Sequence, residues 1–152
     1  MGGDDLNQSL LRLLNDVNGA IIKIRGLYSS WSLAQGISYN EMLVLYTIRE
    51  HGFCTQKQIC DSYLLPRQTM NNVIAGMQKS GLLALSPKDC RGREKAFVLT
   101  AAGKEKLQPV IASLNDFESK AIHLLGDEKL RTLADLMLAY GQALHTALGE
   151  ER

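Results

Sequence analysis

The chain has 152 residues, 45% of them hydrophobic, the size of one domain that can bury a core of its own. Its formal net charge is +1, so bulk charge points neither to nucleic acid nor to a membrane surface. Three scattered cysteines, Cys54, Cys60 and Cys90, exclude a disulfide framework, and the lack of an apolar leader or membrane-length apolar run leads us to expect a cytoplasmic protein with no membrane partner.

Charge is unevenly spread. Residues 55–100 hold seven basic and three acidic side chains, a net +4 that leaves −3 for the rest of the chain. A basic module on an acidic frame is an electrostatic footprint for nucleic acid, although an ordinary solvated face can also reach +4.

Over residues 5–33, Leu6, Leu10, Leu13, Leu14, Val17, Ile21, Ile24, Tyr28 and Trp31 recur at three- and four-residue steps. That pattern predicts one long amphipathic helix, loosened at Gly19 and Gly26. Ser38-Tyr39-Asn40-Glu41 has capping-box spacing and predicts a helix to about residue 51, stopped by Gly52. Thr55-Gln56-Lys57-Gln58 repeats the device and opens a short helix reaching Tyr63. After a two-residue break comes Pro66, suited to the first position of a helix, where its missing N–H is harmless. This helix carries Met70, Val73, Ile74 and Met77 on one face and ends at Gly81. Residues 82–86 and about 95–99 read as two short strands joined through Asp89-Cys90-Arg91-Gly92-Arg93. Thr100 then caps a long helix carrying Leu107, Val110, Ile111, Leu114, Phe117, Ala121 and Leu124. Gly126-Asp127 breaks it, and a last helix carries Leu130, Leu133, Leu136, Met137, Tyr140, Leu144 and Leu148.

These signals predict a mainly α chain with a small β-hairpin wing. A winged helix-turn-helix module over 38–103 lies between long terminal helices over 5–35 and 104–148, all in a single protomer spanning 1–152. Helices near 25 residues with a one-sided stripe usually bury that stripe. A two-fold homodimer through these dimerisation helices is expected, with packing inside one chain as the plain alternative.

In a helix-turn-helix the second helix enters the major groove with its N-terminal residues toward base edges. Here those residues are Pro66, Arg67, Gln68, Thr69, Asn71 and Asn72. Arginine matches guanine O6 and N7, and glutamine or asparagine matches adenine N6 and N7; Thr69 offers a hydroxyl to phosphate or a methyl to thymine. No acidic side chain stands in that first turn to repel phosphate. In the wing the candidates are Lys88, Asp89, Arg91, Arg93 and Lys95. An arginine on a hairpin tip fits a narrow minor groove, whereas Asp89 would oppose phosphate unless it orients a neighbouring arginine by a bidentate pair. Taken singly, each group is also an ordinary polar surface; their succession in one stretch favours DNA.

The span from Leu64 to Leu82, followed by Asp89-x-Arg91 and Leu99-Thr100-x-x-Gly103, resembles the MarR (multiple antibiotic resistance regulator) family of winged-helix transcription regulators. The resemblance covers the whole chain and rests most on Thr69…Lys79-x-Gly81-Leu82, the Asp–Arg wing and the Leu-Thr-x-x-Gly exit. It implies a six-helix layout with dimerising terminal helices. It also implies a regulator, most often a repressor, that binds a pseudo-palindromic operator in double-stranded DNA and is released by a small phenolic or aromatic effector. By resemblance Arg91 takes the minor-groove role, and Arg67, Gln68, Thr69, Asn71 and Asn72 take the recognition positions. The chain departs from the family at Asn72 and Gly76, where arginine is frequent. Its wing is also longer than the commonest spacing, which leaves open whether Arg91 or Arg93 reaches the groove.

For an effector, Tyr28, Trp31, Tyr39, Met42 and Tyr46 are candidates near the junction of the first two helices, at a spacing that equally suits core residues. Some relatives sense oxidants through a cysteine in the first helix, and this first helix has none. Cys60 reads as a small buried hydrophobe, while Cys90 beside Arg91 has the cationic setting that activates a thiol, so a redox-responsive regulator is the alternative. A hydrolase using Cys54 or Cys90 with His51, His123 or His145 lacks an orienting partner, an oxyanion loop and a nucleophile elbow, so no enzyme and no catalytic residue is expected. No histidine or cysteine pair has ligand spacing, so neither metal nor cofactor is expected. A helical interaction protein without DNA binding would explain the apolar ends but not the arginine wing.

Overall fold

A computed structural model of the chain describes residues 2–150, with side chains from 7 to 149. The place of Leu6 in the N-terminal stripe therefore lies outside the described side chains. The elements in order are α1 (Gly2–Ala34), α2 (Tyr39–His51), β1 (Cys54–Thr55), α3 (Gln56–Tyr63), α4 (Arg67–Lys79), β2 (Leu83–Leu85), a 3-10 turn (Pro87–Asp89), β3 (Ala96–Leu99), α5 (Ala101–Leu125) and α6 (Asp127–Glu150). The chain divides into two compact units, Met1–Gln108 and Pro109–Arg152.

In the first unit, α1 runs unbroken through Gly19 and Gly26. The expected loosening is absent: each glycine costs about 1 kcal/mol relative to alanine, and a long cooperative helix absorbs that. The helix starts of α2 and α3 are the two capping boxes. Glu41 N–H donates to Ser38 Oγ over 3.1 Å, and Ser38 N–H donates to Glu41 Oε2 over 2.7 Å. Gln58 N–H and Thr55 Oγ1 are 3.0 Å apart, and the reciprocal Thr55 N–H to Gln58 Oε1 bond is 3.2 Å. Gly52, at φ 80°, takes the left-handed residue that closes α2.

The turn between α3 and α4 is built differently from its usual chemistry. Leu64 holds the left-handed conformation at φ 51° with a side chain that is 89% exposed. Pro66 stands one place earlier than expected, at the N-cap of α4 with ψ 134°. Its fixed φ suits either position, but the extended ψ keeps it outside the helix.

The core of this unit gathers buried side chains of α2, α3 and α4 (Val44, Leu45, Ile59, Met70, Ile74 and Met77) with Leu83, Ala96 and Phe97 of the sheet. The sheet has three antiparallel strands in the order β1-β3-β2, pairing Cys54 with Phe97 and Leu83 with Leu99. The expected hairpin is present as β2 and β3; β1 is an additional strand. At the sheet's exit Thr100 N–H donates to Leu82 O over 3.0 Å, Thr100 Oγ1 donates to Gly81 O over 2.5 Å, and Gly103 N–H donates to Thr100 Oγ1 over 2.9 Å. A Cβ on Gly103 would lie 2.1 Å from Leu82 O, so only glycine lets the start of α5 approach the start of β2 so closely. That contact is the physical content of the Leu-Thr-x-x-Gly exit.

Val110, Ile111 and Leu114, midway along α5, are buried, and Pro109 beside them removes one backbone donor from the helix. Gly126, at φ 88°, separates α5 from α6. Leu124, Leu136, Leu138 and Leu148 are 63–85% exposed, as are Leu13, Ile22 and Leu33 of α1 at 61–72%. No described helix is long and apolar enough to cross a membrane.

Candidate nucleic-acid interface

A helix of alternating polar and apolar faces can read a groove only if its outer face is free and its ends are fixed. α4 meets both conditions. Met70, Ile74 and Met77 are buried and Val73 half-buried, while Arg67, Gln68, Asn71 and Asn72 are exposed and Thr69 is half-buried. Pro66 is exposed at the N-cap and adds no side-chain cap, so the first-turn N–H groups of α4 keep their capacity for an anion. Gln56 Nε2 donates to Arg67 O over 2.7 Å, tying the start of α3 to the start of α4. Gln68 Nε2 donates to Asn72 Oδ1 over 3.0 Å, one helical turn apart. This pairing orients both amides and leaves Gln68 Oε1 and the Asn72 NH2 facing outward.

The wing turns on Arg91 and Glu94, whose backbones exchange two hydrogen bonds of 3.1 and 2.9 Å around Gly92-Arg93. Gly92 has φ 57° and Arg93 does not share the positive φ, the requirement of a tight hairpin with glycine at its first central place. This register sends the two wing arginines to different sides. Arg93 and Lys95 line a cleft with Gln56, Lys57, Arg67, Gln68, Asn71, Asn72 and Gln78, floored by Ile74, Ala75 and Phe97. Arg91 lines a separate shallow groove with Phe53, Gln58 and Asp89. There the Arg91 guanidinium donates to Cys90 O over 3.0 Å and to Lys88 O over 3.2 Å.

Asp89 takes a local partner. It accepts a 2.5 Å hydrogen bond from Ser86 Oγ and closes the 3-10 turn instead of pairing with an arginine. The turn places the carboxylate three residues from a buried hydroxyl, a local bond that costs less order than fixing a long side chain. Lys88 is exposed on the same turn.

Four polar cleft residues lie outside the site candidates read from the sequence: Gln56, Lys57, Gln78 and Glu94. The first two stand in the first turn of α3, which a helix-turn-helix sets beside the recognition helix, so the signal was present. Lys57 forms an exposed pair with Asp61, and that hydrogen bond raises its pKa first of all. Glu94 is half-buried between Arg93 and Lys95 and accepts a hydrogen bond from Thr55 Oγ1. The cleft thus carries Lys57, Arg67, Arg93 and Lys95 against one carboxylate that is already engaged.

The proposed effector residues fall on α1 and α2. Met42 is buried, and Tyr28, Trp31, Tyr39 and Tyr46 are half-buried. The Arg25 guanidinium lies 5.2 Å from the Tyr39 ring centroid and Arg49 lies 4.2 Å from that of Tyr46, so one face of each ring is covered by a cation. Of the thiols, Cys54 is fully buried and burial pushes it up to about 12. Cys60 is also buried and raised, again chiefly by desolvation. The Cys90 thiol is half-buried at the wing root, donating to Ser86 O over 3.3 Å and accepting from Ala96 N–H over 3.4 Å.

The model of the MarR family matches residues 35–94, the span that holds α2, the helix-turn-helix and the wing tip. No curated protein matches. Among solved structures, the fold is similar to that of NMB1585, a MarR family regulator from Neisseria meningitidis, at 26% identity and a TM-score of 0.82 over 92% of this chain and 99% of that one. It is also similar to NadR in complex with 4-hydroxyphenylacetate, at 18% identity and a TM-score of 0.67 over 82% of this chain and 91% of that one. Overoxidized AbfR bound to DNA is similar at 20% identity and a TM-score of 0.67 over 90% of this chain and 98% of that one. The match over residues 35–94 and the shared fold make the chain similar to the MarR family of winged-helix, DNA-binding transcription regulators, and they place the basic cleft between its recognition helix and its wing.

Proposed function

We propose that the protein is a homodimeric repressor that reads a pseudo-palindromic operator through the cleft between α4 and the wing. The observation that carries this reading is the cleft itself. Its basic side chains Lys57, Arg67, Arg93 and Lys95 surround an exposed polar face of Gln68, Asn71 and Asn72 at the N-terminal half of α4. Arg67, Gln68, Thr69, Asn71 and Asn72, entered by Pro66, take the base-reading role, and Lys88, Arg91, Arg93 and Lys95 the backbone and minor-groove role. Because Arg93 shares the cleft with α4, it is the wing arginine that follows the recognition helix into the adjoining groove; Arg91 takes the outer flank.

The homodimer is supported by the apolar side chains that α1, α5 and α6 leave exposed, among them Leu13, Ile22, Leu124, Leu136 and Leu148. Two copies would then present two recognition helices to half-sites about one helical turn apart. An aromatic effector near Tyr28, Trp31, Tyr39, Met42 and Tyr46 is supported by NadR, whose fold is shared and whose structure holds 4-hydroxyphenylacetate. Arg25 and Arg49, already over two of these rings, would meet the carboxylate of such a ligand.

Selection of bound sites from random duplex DNA tests the reading. It should return a half-site repeated at one-turn spacing. Recovery of no enriched sequence would sink the operator-reading role. A second reading follows from Cys90, whose thiol bridges Ser86 and Ala96 at the wing root. Oxidation would remove that S–H donor and loosen the wing. Peroxide treatment should then weaken duplex binding by wild type and spare Cys90→Ser; equal responses would remove the redox reading.

A further inference from the structure

A carboxylate in a DNA-facing cleft opposes phosphate, so Glu94 needs a reason to stand between Arg93 and Lys95. The structure supplies one. Thr55 Oγ1 accepts from Gln58 N–H in the α3 capping box, and its single proton goes to Glu94 Oε1. One hydroxyl therefore caps α3 and fastens the wing. Glu94 is also the residue whose backbone closes the wing tip with Arg91, and it borders both the cleft and the groove on the wing's outer side. The bond joins residues 39 apart in sequence, from the strand that precedes α3 to the turn that carries Arg93. On the α3 side the backbone tie to the wing is the two-residue pairing of β1 with β3, Cys54 with Phe97 and Thr55 with Ala96, and the side-chain bond extends that short ladder toward the wing tip.

We infer that Glu94 is a positioning residue for DNA binding, latched by Thr55 so that Arg93 is held at a fixed opening from α4. The inference rests on the cleft being the DNA interface. The latch needs an acceptor oxygen, whereas repulsion of phosphate needs only the charge, and this separates two variants. Glu94→Gln keeps the acceptor and removes the charge. Glu94→Ala removes both. If Glu94 acted through charge alone, both variants would bind duplex more tightly, and equally so.

The latch gives a split. Glu94→Ala should bind the selected operator duplex about three- to tenfold more weakly, the range expected for one net intramolecular hydrogen bond. Glu94→Gln should bind at wild-type affinity or tighter, and Thr55→Ser, which keeps both bonds of the hydroxyl, should match wild type. The same proteins without DNA are exposed to trypsin and cleavage after Arg91 is followed. Glu94→Ala should be cut several-fold faster than Glu94→Gln, because the tip is freed only in the former. Indistinguishable Ala and Gln variants in both assays overturn the latch. If wild type fails to bind duplex at all, the DNA reading falls while the cleavage rates still decide the latch. Melting curves of each variant identify any that fails to fold; should Glu94→Ala do so, Glu94→Met, which keeps the length of the side chain but removes its acceptor oxygen and its charge, takes its place against Glu94→Gln, with the same weaker binding and faster cleavage expected.

Discussion

Replacing Gly103 by alanine should destabilise the protein even though alanine is the better helix former. Gly103 lies in the first turn of α5, where the substitution gains about 1 kcal/mol of helix propensity. The new Cβ, however, would stand 2.1 Å from Leu82 O, 2.9 Å from Leu82 C and 3.2 Å from Leu82 Cα, all of them backbone atoms. Reaching ordinary contact at about 3.5 Å requires a shift of roughly 1.4 Å, which no rotamer change provides. That movement stretches the bonds from Thr100 N–H to Leu82 O and from Thr100 Oγ1 to Gly81 O. Overpacking costs about 1–3 kcal/mol, and the two hydrogen bonds about 1 kcal/mol each. Against the propensity gain, the net loss is about 2–4 kcal/mol, or a fall in Tm of about 5–15 °C for a chain of this length. Thermal unfolding followed by circular dichroism, at one fixed protein concentration because self-association shifts Tm, measures it. An unchanged or raised Tm would refute the close approach of α5 to β2.

Leu64→Gly should act in the opposite direction. The left-handed backbone costs leucine about 1–2 kcal/mol and the side chain is 89% exposed, so a gain of about 0.5–1 kcal/mol is expected in chemical denaturation; a loss would mean that Leu64 packs on something. Cys54 predicts a pH effect. Its thiol is raised from 9.0 to about 12 by burial, so the native state holds its proton more tightly than the unfolded chain. The stability it contributes is whole below pH 9 and declines as pH rises toward 12, at up to about 1.4 kcal/mol per pH unit. Unfolding of Cys54→Ala over the same pH window should decline less steeply, and parallel curves would contradict the assignment. Leu144→Glu, on an α6 side chain that is 48% exposed, should lower self-association in sedimentation; an unchanged sedimentation coefficient would place the interface elsewhere.

Much of this fold could be read from local chemistry. Ser38 with Glu41 and Thr55 with Gln58 announce helix starts because a capping box is a contact between residues three apart, complete within the sequence. Met70, Ile74 and Met77 announce the buried face of α4 for the same reason. Features set by partners distant in the chain were less visible. β1 is two residues long and shows no alternation; it exists because Cys54 and Thr55 find Phe97 and Ala96. The sides taken by Arg91 and Arg93 depend on the hairpin register, which a change of one residue reverses. Asp89 reads as a partner for arginine by charge, yet the 3-10 turn brings Ser86 to it first. Gly103 was visible as part of a motif, but its reason, the backbone of Leu82, lies across the wing.

Affinity for the selected duplex as a function of salt, between about 50 and 200 mM, tests most directly that the α4–wing cleft is the DNA interface. Log affinity should fall linearly and steeply with log salt for wild type. Arg93→Ala should bind more weakly with a slope shallower by about 1, the loss of one phosphate contact. No duplex affinity at low salt, or an Arg93→Ala titration superimposable on wild type, would contradict the assignment of that cleft.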